Sequence, residues 1–409
     1  MEQILVSPLR SAELFAAKII PTVVRILLFS SMALFGVVQG VFHTPLRGSF
    51  LLFRSVSVLY IASVASLGLA NPFQHYGLLQ ERDLTPFHFL RLDMRPAHAL
   101  WNAPGSWGLE MTLGYQNTWA MSSNVRDYLQ SLPKRSSLGP EEVRAIRALP
   151  GESYLVDFEL GTLDFVFHRR LSSQWSVLAS FSGVSYAGGF LDGSIEQFHK
   201  AFGFGSFGRY AVRRNDVNVI LTLKGKRSAL LGTPPSGGLL DPTVGLRYSL
   251  LPSAGPWNLV LESSVKMPVR GQREFLSTGH FDTGLQATLQ RFLGRHAFYL
   301  SAAAVHTRGL DLAGEESKII PTIIAGYEYV FDKRTNLIIQ SYASRSTFSR
   351  QDTDLKELRG GKYQLSLGLR HRAGPSLWTV ALTENVVHLN NTPDVGFQLG
   401  WIYSPAFLR

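Results

Sequence analysis

The sequence predicts an all-β fold: a transmembrane, antiparallel, up-and-down β-barrel of about fourteen strands, within a range of twelve to sixteen. Three observations predict it. From Trp107 onward, apolar and polar residues alternate with a period of two, as in WGLEMTLGY and DPTVGLRYSL. The polar faces carry glycine, serine, threonine and charges, whereas the apolar faces repeatedly end in Trp or Tyr, as lipid-facing bands do. Connections alternate between short and long, and strands can cross lipid only as a closed barrel.

The alternation and the turn signals place each strand. The strands are predicted at 107–119, 153–169, 174–187, 203–211, 216–226, 239–251, 256–269, 280–292, 296–308, 319–332, 335–348, 361–372, 376–388 and 394–403. An even number of strands returns both ends of the barrel to the periplasmic side, where the short turns are expected. Strand 153–169 changes the parity of its apolar residues near Gly161, which predicts a β-bulge there.

The long connections are expected on the outer side of the membrane. In connection 120–152, Pro140 is followed by Glu141 and Glu142, a signal for the start of a helix, so a short helix is predicted there.

The last strand, DVGFQLGWIY, has one face of large side chains and one face rich in glycine. Its large residues are Val395, Phe397, Leu399, Trp401 and Tyr403. We expect this face to contact hydrocarbon and the glycine face to contact the lumen. The strand is predicted to close the barrel against the first strand, and its aromatic end is similar to the recognition signal of the barrel-assembly machinery, an expected partner during insertion.

Residues 1–70 are predicted to be an export signal region. Arg47 and Arg54 precede an apolar run that ends at Leu67, and small residues follow up to Ala70, after which cleavage is expected. A signal at this depth predicts that translation starts downstream of Met1. The alternative is two membrane-anchoring helices, although each apolar run is short or interrupted for a span of about 20 residues.

Residues 71–106 precede the barrel, which is predicted to occupy 107–409. This stretch is rich in turn residues and contains only a brief alternation near Phe87–Leu92. It is predicted to be a plug in the lumen, a periplasmic arm or an additional strand.

The composition excludes several classes of site and partner. The chain of 409 residues has no cysteine, which excludes a disulfide scaffold, a thiolate metal site and a lipid anchor on cysteine. The formal net charge is +10, but no Lys/Arg run of the nucleic-acid-binding type occurs, so no nucleic-acid partner is expected. The stretch GFGSFG fits the dinucleotide pattern, yet it lacks the preceding strand and following helix, so no cofactor is predicted.

The loop GGFLDGSIEQFHKAFG, residues 188–203, carries the candidate functional residues Asp192, Glu196 and His199. If 194–202 is helical, these three lie near one face, where they could bind a metal or form an acid–base site. They could equally hold the loop in place by hydrogen bonds. No metal and no catalytic residue is predicted, because no second cluster accompanies them.

A second set of candidates consists of charged residues expected to face the lumen. They could line a polar permeation path, or pair across the interior and rigidify a closed barrel. The set is Glu110, Asp157, Glu159, Arg247, Glu262, Lys266, Glu328 and Arg370. The histidines at 280, 306 and 388 are scattered and no nucleophile motif stands near an acidic partner, so the protein is not predicted to be an enzyme.

The stretch GGFLDGSIEQFHKAFGFGSFGR, with NPFQHYGLL and DFELGTLDFVFHRRLSSQWSV before it, resembles a family of proteobacterial outer-membrane barrels catalogued as a domain of unknown function. The resemblance covers most of the chain after Asn71. It implies the barrel architecture and an outer-membrane location, and it implies no activity and no catalytic residue. The tail departs from the pattern, because such barrels commonly end on an aromatic residue, whereas Ser404 to Arg409 follow Tyr403.

These observations predict an exported outer-membrane barrel that forms a pore, or binds and transports a small solute or lipid-like compound. One alternative is an outer-membrane enzyme that acts on lipid or envelope polymer through the candidate loop. The other is a structural barrel that binds a partner through its outer loops, especially 120–152. Outer-membrane lipid is the remaining expected partner.

Overall fold

The computed structural model describes residues 73–85, 88–98, 105–203, 205, 207–224, 226–250, 256–269, 271, 275–308, 317–386 and 392–404. The chain divides into two compact units, residues 1–72 with 251–257 and residues 73–250 with 258–409. Almost all described residues belong to the second unit. The predicted export signal and its cleavage site lie outside the described residues.

Fifteen strands make up the sheet of the described chain, and the prediction of an all-β antiparallel barrel is confirmed. The strands are β1 (Trp107–Met121), β2 (Ser153–Arg170), β3 (Trp175–Ala187), β4 (Asn218–Leu223), β5 (Lys226–Leu231), β6 (Gly238–Leu239), β7 (Thr243–Ser249), β8 (Trp257–Lys266), β9 (Asp282–Leu293), β10 (His296–Arg308), β11 (Ser317–Val330), β12 (Thr335–Ser344), β13 (Lys362–Ala373), β14 (Ser376–Asn385) and β15 (Val395–Tyr403).

Twelve of these strands, β1–β3 and β7–β15, form a closed barrel wall. Each wall strand is the neighbour of the next one along the chain, except that β3 pairs directly with β7. The last strand closes the ring against the first, as predicted, with Leu109 opposite Tyr403 and Asn117 opposite Val395. The ring therefore leaves no unpaired edge in its wall, as a barrel in lipid requires.

The other three strands lie outside the ring of twelve. The hairpin β4–β5 extends the outer end of β2, whose residues 153–157 pair with β4, and the two-residue β6 pairs with β3. The predicted strand at 203–211 is wrong. Gly203 and Gly208 both adopt positive φ, 74° and 85°, which interrupts an extended strand, and Arg209–Ala211 forms a 3₁₀ turn.

The wall strands alternate between a buried inward face and an exposed outward face. Along β10, Ala297 and Tyr299 point inward and are buried, whereas Phe298 and Leu300 point outward and are about half exposed. The same alternation gives the other wall strands an outward surface of large apolar side chains. An apolar band of this extent on a closed barrel is a lipid-facing surface.

Aromatic side chains form a girdle at the end of the barrel that carries the short turns. Neighbouring rings contact one another across strands, for example Trp107 with Tyr403 at 5.5 Å and Trp175 with Tyr248 at 4.6 Å between centroids. Trp401 lies within 6.4 Å of Trp378 in the same way. This girdle marks the membrane interface on the turn side.

Four helices of the described chain lie in the long connections: α1 (Ser123–Ser131), α2 (Pro140–Arg147), α3 (Asp192–Phe202) and α4 (Lys356–Arg359). The helix predicted after Gly139 is confirmed as α2, where the Glu142 carboxylate accepts a hydrogen bond from the Gly139 N–H at 2.7 Å. Among the described residues, no helix is long and apolar enough to cross a membrane.

The β-bulge predicted near Gly161 is wrong. Strand β2 pairs with β1 residue for residue through this position, with Tyr115 opposite Gly161, so its parity never changes. Asp157 and Glu159 therefore share the outward side with Leu163, and their predicted orientation toward the lumen is wrong. They are nevertheless buried, because the outer ends of β1 and β2 are covered by loop residues rather than by lipid.

Residues 73–98, here called the interior segment and described except for 86–87, lie inside the barrel. Leu78, Leu79 and Leu92 are almost fully buried against inward side chains of the wall. Inward glycines make room for them: a Cβ at Gly326 would lie 2.2 Å from a Leu78 methyl carbon, and one at Gly368 would lie 2.6 Å from a Leu79 methyl carbon. The wall is thus shaped to hold this segment.

Candidate functional site: the polar interior of the barrel

The first part of the interior segment is held by two side chains of opposite charge. Arg370 on β13 donates hydrogen bonds to the carbonyl oxygens of Tyr76, Gly77 and Leu78 at 2.6–2.7 Å. Glu328 on β11 accepts hydrogen bonds from the backbone N–H groups of Tyr76 and Gly77 at 2.8 and 3.1 Å. Backbone donors and acceptors at one turn of the segment are therefore satisfied by charged wall residues.

The second part of the segment runs along β9. Asp282 accepts a hydrogen bond from the Leu92 N–H at 2.8 Å. Gln286 and Gln290 donate to the carbonyl oxygens of Arg95 and Ala97, both at 2.7 Å. Inward residues spaced four apart on one strand thus pair with successive polar groups of the segment, although the described part of the segment forms no strand of its own.

A buried polar network lies between these two parts. Asp83 bonds to His88 and to Thr85 within the segment, and it accepts a hydrogen bond from the Tyr342 hydroxyl of β12 at 3.2 Å. Arg91 donates to the same hydroxyl at 2.9 Å. The network fixes the bend of the segment to the wall strand β12.

A charged cavity of about 50 Å³ separates one side of the segment from the wall. Its lining joins Arg82, Arg91, Asp93 and Arg95 of the segment to wall residues that include Glu110, His168, Arg247, Glu262 and Lys266. A space of this size holds a few water molecules. Because both signs of charge line it, the cavity favours small polar or zwitterionic groups over apolar ones.

The charges of the cavity wall are paired within short distances. Arg247 donates to Glu262 at 2.6 Å, and Lys266 lies 2.9 Å from the Asp282 carboxylate. A nitrogen of His168 lies 3.1 Å from Glu110. Of the residues proposed from the sequence as lumen-facing charges, the structure therefore brings four together at this cavity: Glu110, Arg247, Glu262 and Lys266.

The remaining candidates of that set lie elsewhere. Glu328 and Arg370 hold the interior segment, as described above. Asp157 accepts a hydrogen bond from Asn218 of β4 at 3.0 Å. Glu159 accepts the backbone N–H groups of Phe190 and Leu191 at 3.0 and 2.8 Å, and so fixes the start of the outer loop to β2.

The loop candidates Asp192 and Glu196 lie on the buried face of α3, but they bind different arginines. Asp192 accepts a hydrogen bond from Arg209 at 2.7 Å, and Glu196 accepts two from Arg135 at 2.7 and 2.6 Å. Burial would raise the pKa of Glu196, yet hydrogen bonds from Arg135 and Arg214 outweigh that effect and hold its pKa below its ordinary value.

His199 does not join these carboxylates in one constellation. Its ring contacts Phe207 edge to face, at 6.0 Å between centroids. Among the described residues, no group of three Asp, Glu or His side chains is arranged to hold a metal ion. The contacts of α3 are those of a loop held in place by hydrogen bonds, one of the two interpretations that the sequence left open.

Several residues of the interior, and one of the outer loop, escaped the sequence analysis. Arg82, Arg91 and Arg95 come from a stretch in which only a brief alternation was evident, and neither their spacing nor their neighbours indicate lumen contacts. Arg209 follows the glycine-rich GFGSFG and carries no local signal either. Their partners lie far away in the chain: Arg82 bonds to Asp164 across 82 positions.

Among known proteins, the chain matches one family model and shows distant likenesses to several solved structures. The model of a family described as "Protein of unknown function (DUF3187)" matches residues 148–404. No curated protein matches the chain.

Among solved structures, the COG4313 outer membrane channel from Pseudomonas putida F1 is similar, with a TM-score of 0.45 and 12% identity, over 76% of this chain and 99% of that one. The NanC porin has a TM-score of 0.38 and 9% identity, over 72% and 99%. The P. putida toluene transporter TodX has a TM-score of 0.37 and 12% identity, over 74% and 91%. Likenesses at this level concern the barrel fold alone.

The family model matches more than half of the residues of this chain. The chain therefore belongs to the DUF3187 family of proteins of unknown function.

Proposed function

We propose that this protein is a transport barrel of the bacterial outer membrane, and that its interior segment acts as a plug. A small polar solute would pass between the segment and the wall when the segment shifts. The observation that carries the proposal is how the segment is held. Side chains of β9, β11 and β13 bind its backbone, and no β-ladder joins its described residues to the wall.

This attachment favours a plug because it lowers the free energy needed to displace the segment. A ladder would have to break as a unit, whereas each side-chain hydrogen bond contributes about 1 kcal/mol net and can be exchanged for water separately. The adjacent charged cavity already provides polar space for a few water molecules beside the segment. The twelve-stranded ring keeps all its own backbone hydrogen bonds while the segment moves, so the wall does not need to open.

The polar lining also bears on the class of solute. Desolvation of the paired charges by an apolar molecule would be unfavourable, whereas a small polar or zwitterionic solute can replace their water. The enzyme alternative has less support, because two of its three candidate residues, Asp192 and Glu196, are held in separate ion pairs. We therefore favour passage of a solute over catalysis.

Planar-bilayer recordings of the refolded full chain test the proposal. The chain has no cysteine, so a Leu78→Cys/Gly326→Cys pair is unique in it. A Cβ at 326 would lie 3.4 Å from the Leu78 Cγ, within reach of a disulfide. We expect wild type to open rarely, the oxidised pair to remain closed, and the reduced pair to regain wild-type openings.

A second variant weakens the attachment of the same part of the segment to the wall, whereas the disulfide strengthens it. Arg370→Met removes three hydrogen bonds to the segment and should raise the open fraction. The single Gly326→Cys variant controls for the tight fit at that position. Absence of conductance in every variant would contradict the pore, and conductance insensitive to both oxidation and Arg370→Met would contradict the plug.

A further inference from the structure

The loop that contains α3 presents three exposed aromatic side chains, which we call its aromatic edge: Phe190, which precedes the helix by two residues, and Phe198 and Phe202 on the helix. Phe190 and Phe202 are each 67% exposed and Phe198 is 48% exposed, whereas the adjoining face of the helix, with Ile195 and Glu196, is buried against the protein. Full burial of such a side chain stabilises by about 2 kcal/mol, so three together in water would be costly. This surface therefore suits an apolar environment.

The aromatic edge lies at the outer limit of the lipid-facing band. The Phe190 ring stacks on Tyr115, with 5.2 Å between centroids, and Tyr115 follows the outward Leu113 on β1. Tyr115 lies eight positions after Trp107 of the turn-side girdle. At about 3.4 Å per residue and a tilt of about 40°, these positions span roughly 21 Å along the barrel axis. The apolar band of such barrels is about 25 Å tall, so Phe190 lies at the outer membrane interface.

Exposed cations accompany the aromatic edge. Lys200 lies on α3, on the other side of the helix from Phe198 and Phe202, because each of them is two residues away from it. It is exposed, as are Lys134 and Arg213. The segments that carry the last two are paired, since the backbone of Ser136 bridges that of Val212. The acidic residues of α3 do not offset them, since Asp192 and Glu196 are buried in ion pairs with arginine.

We propose that α3 is a lipid-binding helix of the outer leaflet. Its aromatic edge inserts among acyl chains, and Lys200 and Arg213 bind the phosphates of lipid A, the phosphorylated glycolipid of that leaflet. Two features combine to select this partner. Phe190 of the aromatic edge is continuous with the lipid-facing band of β1, and exposed cations lie on the other side of α3 and on the loop that contacts it. A helix with aromatic residues on one side and lysine or arginine on the other is suited to an anionic membrane surface.

Site-specific fluorescence tests the insertion. A Phe202→Cys variant of the full chain, labelled with the fluorophore NBD, is reconstituted into phosphatidylcholine vesicles that contain lipid A. We expect quenching by lipids with a spin label near the headgroup and protection from aqueous iodide. Glu141→Cys on α2, whose side chain is 86% exposed and lies beyond the band, should give the reverse pattern.

Phe198→Cys provides a second probe in case the change at Phe202 impairs folding, which heat-modifiable gel mobility reports. Equal iodide quenching at 202, 198 and 141 would overturn the insertion. Each of these readouts is independent of conductance, so the result stands apart from the proposed transport function.

Titration with lipid A in detergent micelles tests the phosphate contacts. The blue shift of NBD at position 202 should saturate at about tenfold higher lipid A concentration in Lys200→Glu/Arg213→Glu, because each cation near an anionic surface favours binding. Arg144→Glu on α2, an exposed position outside the aromatic edge, should leave the curve unchanged. Equal curves for the double variant and its parent would overturn the assignment of phosphate as the ligand.

Discussion

Arg209 connects the outer loop to the junction between the first and last strands. It donates to Asp192 of α3 and to Asn117 of β1, both at 2.7 Å, and it bonds to Asp394, which precedes β15. Its guanidinium also lies 5.2 Å from the Trp119 ring. One side chain thus joins three parts of the chain where the barrel closes.

Replacing Arg209 with methionine should therefore destabilise the folded barrel. The side chain is 2% exposed, and its loss leaves two carboxylates without their shared cation, which costs about 3–5 kcal/mol for a buried pair. We expect a lower midpoint in thermal unfolding followed by circular dichroism in detergent. Arg213→Met, at an exposed neighbouring position, is the matched control. A midpoint equal to that of the control would show that Arg209 does not stabilise the junction.

The sequence singled out the acidic residues Asp192 and Glu196 of the loop, but not the arginines that bind them. Placing Asp192 and Glu196 on one helical face needs only the 3.6-residue period of a helix. Their arginines lie at positions 209, 135 and 214, and the contact between Arg135 and Glu196 joins residues 61 positions apart. No local pattern encodes such a contact, because it depends on how the loops fold over β1 and β2.

Among the elements, β9 combines two roles. Its outward face contributes to the lipid-facing surface, and its inward face carries Asp282, Gln286 and Gln290, which bind the interior segment. The period of two fixes which residues face inward. It does not indicate that their partner is a segment of the same chain.

Removing the two glutamines should loosen the second part of the segment. A Met94→Cys reporter in this cysteine-free chain is expected to react slowly with a water-soluble maleimide, since Met94 is buried. Gln286→Ala/Gln290→Ala removes two hydrogen bonds of about 1 kcal/mol each, so labelling should accelerate about tenfold or more. Gln340→Ala on β12 is the control, because no hydrogen bond joins it to the described part of the segment. Unchanged labelling in the double variant would contradict the role of β9.

Strand prediction succeeded where alternation was continuous and failed where glycine or loop packing intervened. The outward surfaces of β10, β13 and β14 follow the alternation throughout. At 203–211 the apolar residues mimic a strand, but glycines with positive φ break it. The sequence shows an apparent change of parity at Gly161. It arises because outer-loop residues, rather than lipid, cover the outward side of β2 in residues 153–160.

At the scale of the whole molecule, the interior segment fills the lumen of a barrel whose wall closes without it. The twelve wall strands pair with one another in a ring, and the described residues of the segment add no strand. The segment does contribute buried apolar surface, since Leu78, Leu79, Phe89 and Leu92 are each at most 2% exposed. The ring and the segment should therefore be separable in stability.

A variant that lacks residues 73–98 should still insert into membranes as a barrel. Each buried leucine or phenylalanine of the segment contributes about 2 kcal/mol, so the variant should unfold at a lower temperature than the full chain. It should also conduct steadily in planar bilayers, because the polar interior would fill with water. Heat-modifiable gel mobility and bilayer recording measure both outcomes. A variant that inserts but stays closed would show that something other than the segment blocks the lumen.

The sequence by itself determined the barrel. Whether a residue of a strand faces lipid or lumen depends on its parity alone, so the alternation, the turn lengths and the aromatic ends could be read from neighbouring residues. Only the tertiary structure decided what occupies the lumen and what joins the loops to the wall. Arg370 binds a segment almost 300 positions away, and Arg209 binds residues on either side of the closure, at separations of 92 and 185. Such contacts form because closure of the ring and packing of the outer loops bring distant side chains into buried, low-dielectric sites, where each polar group requires a partner.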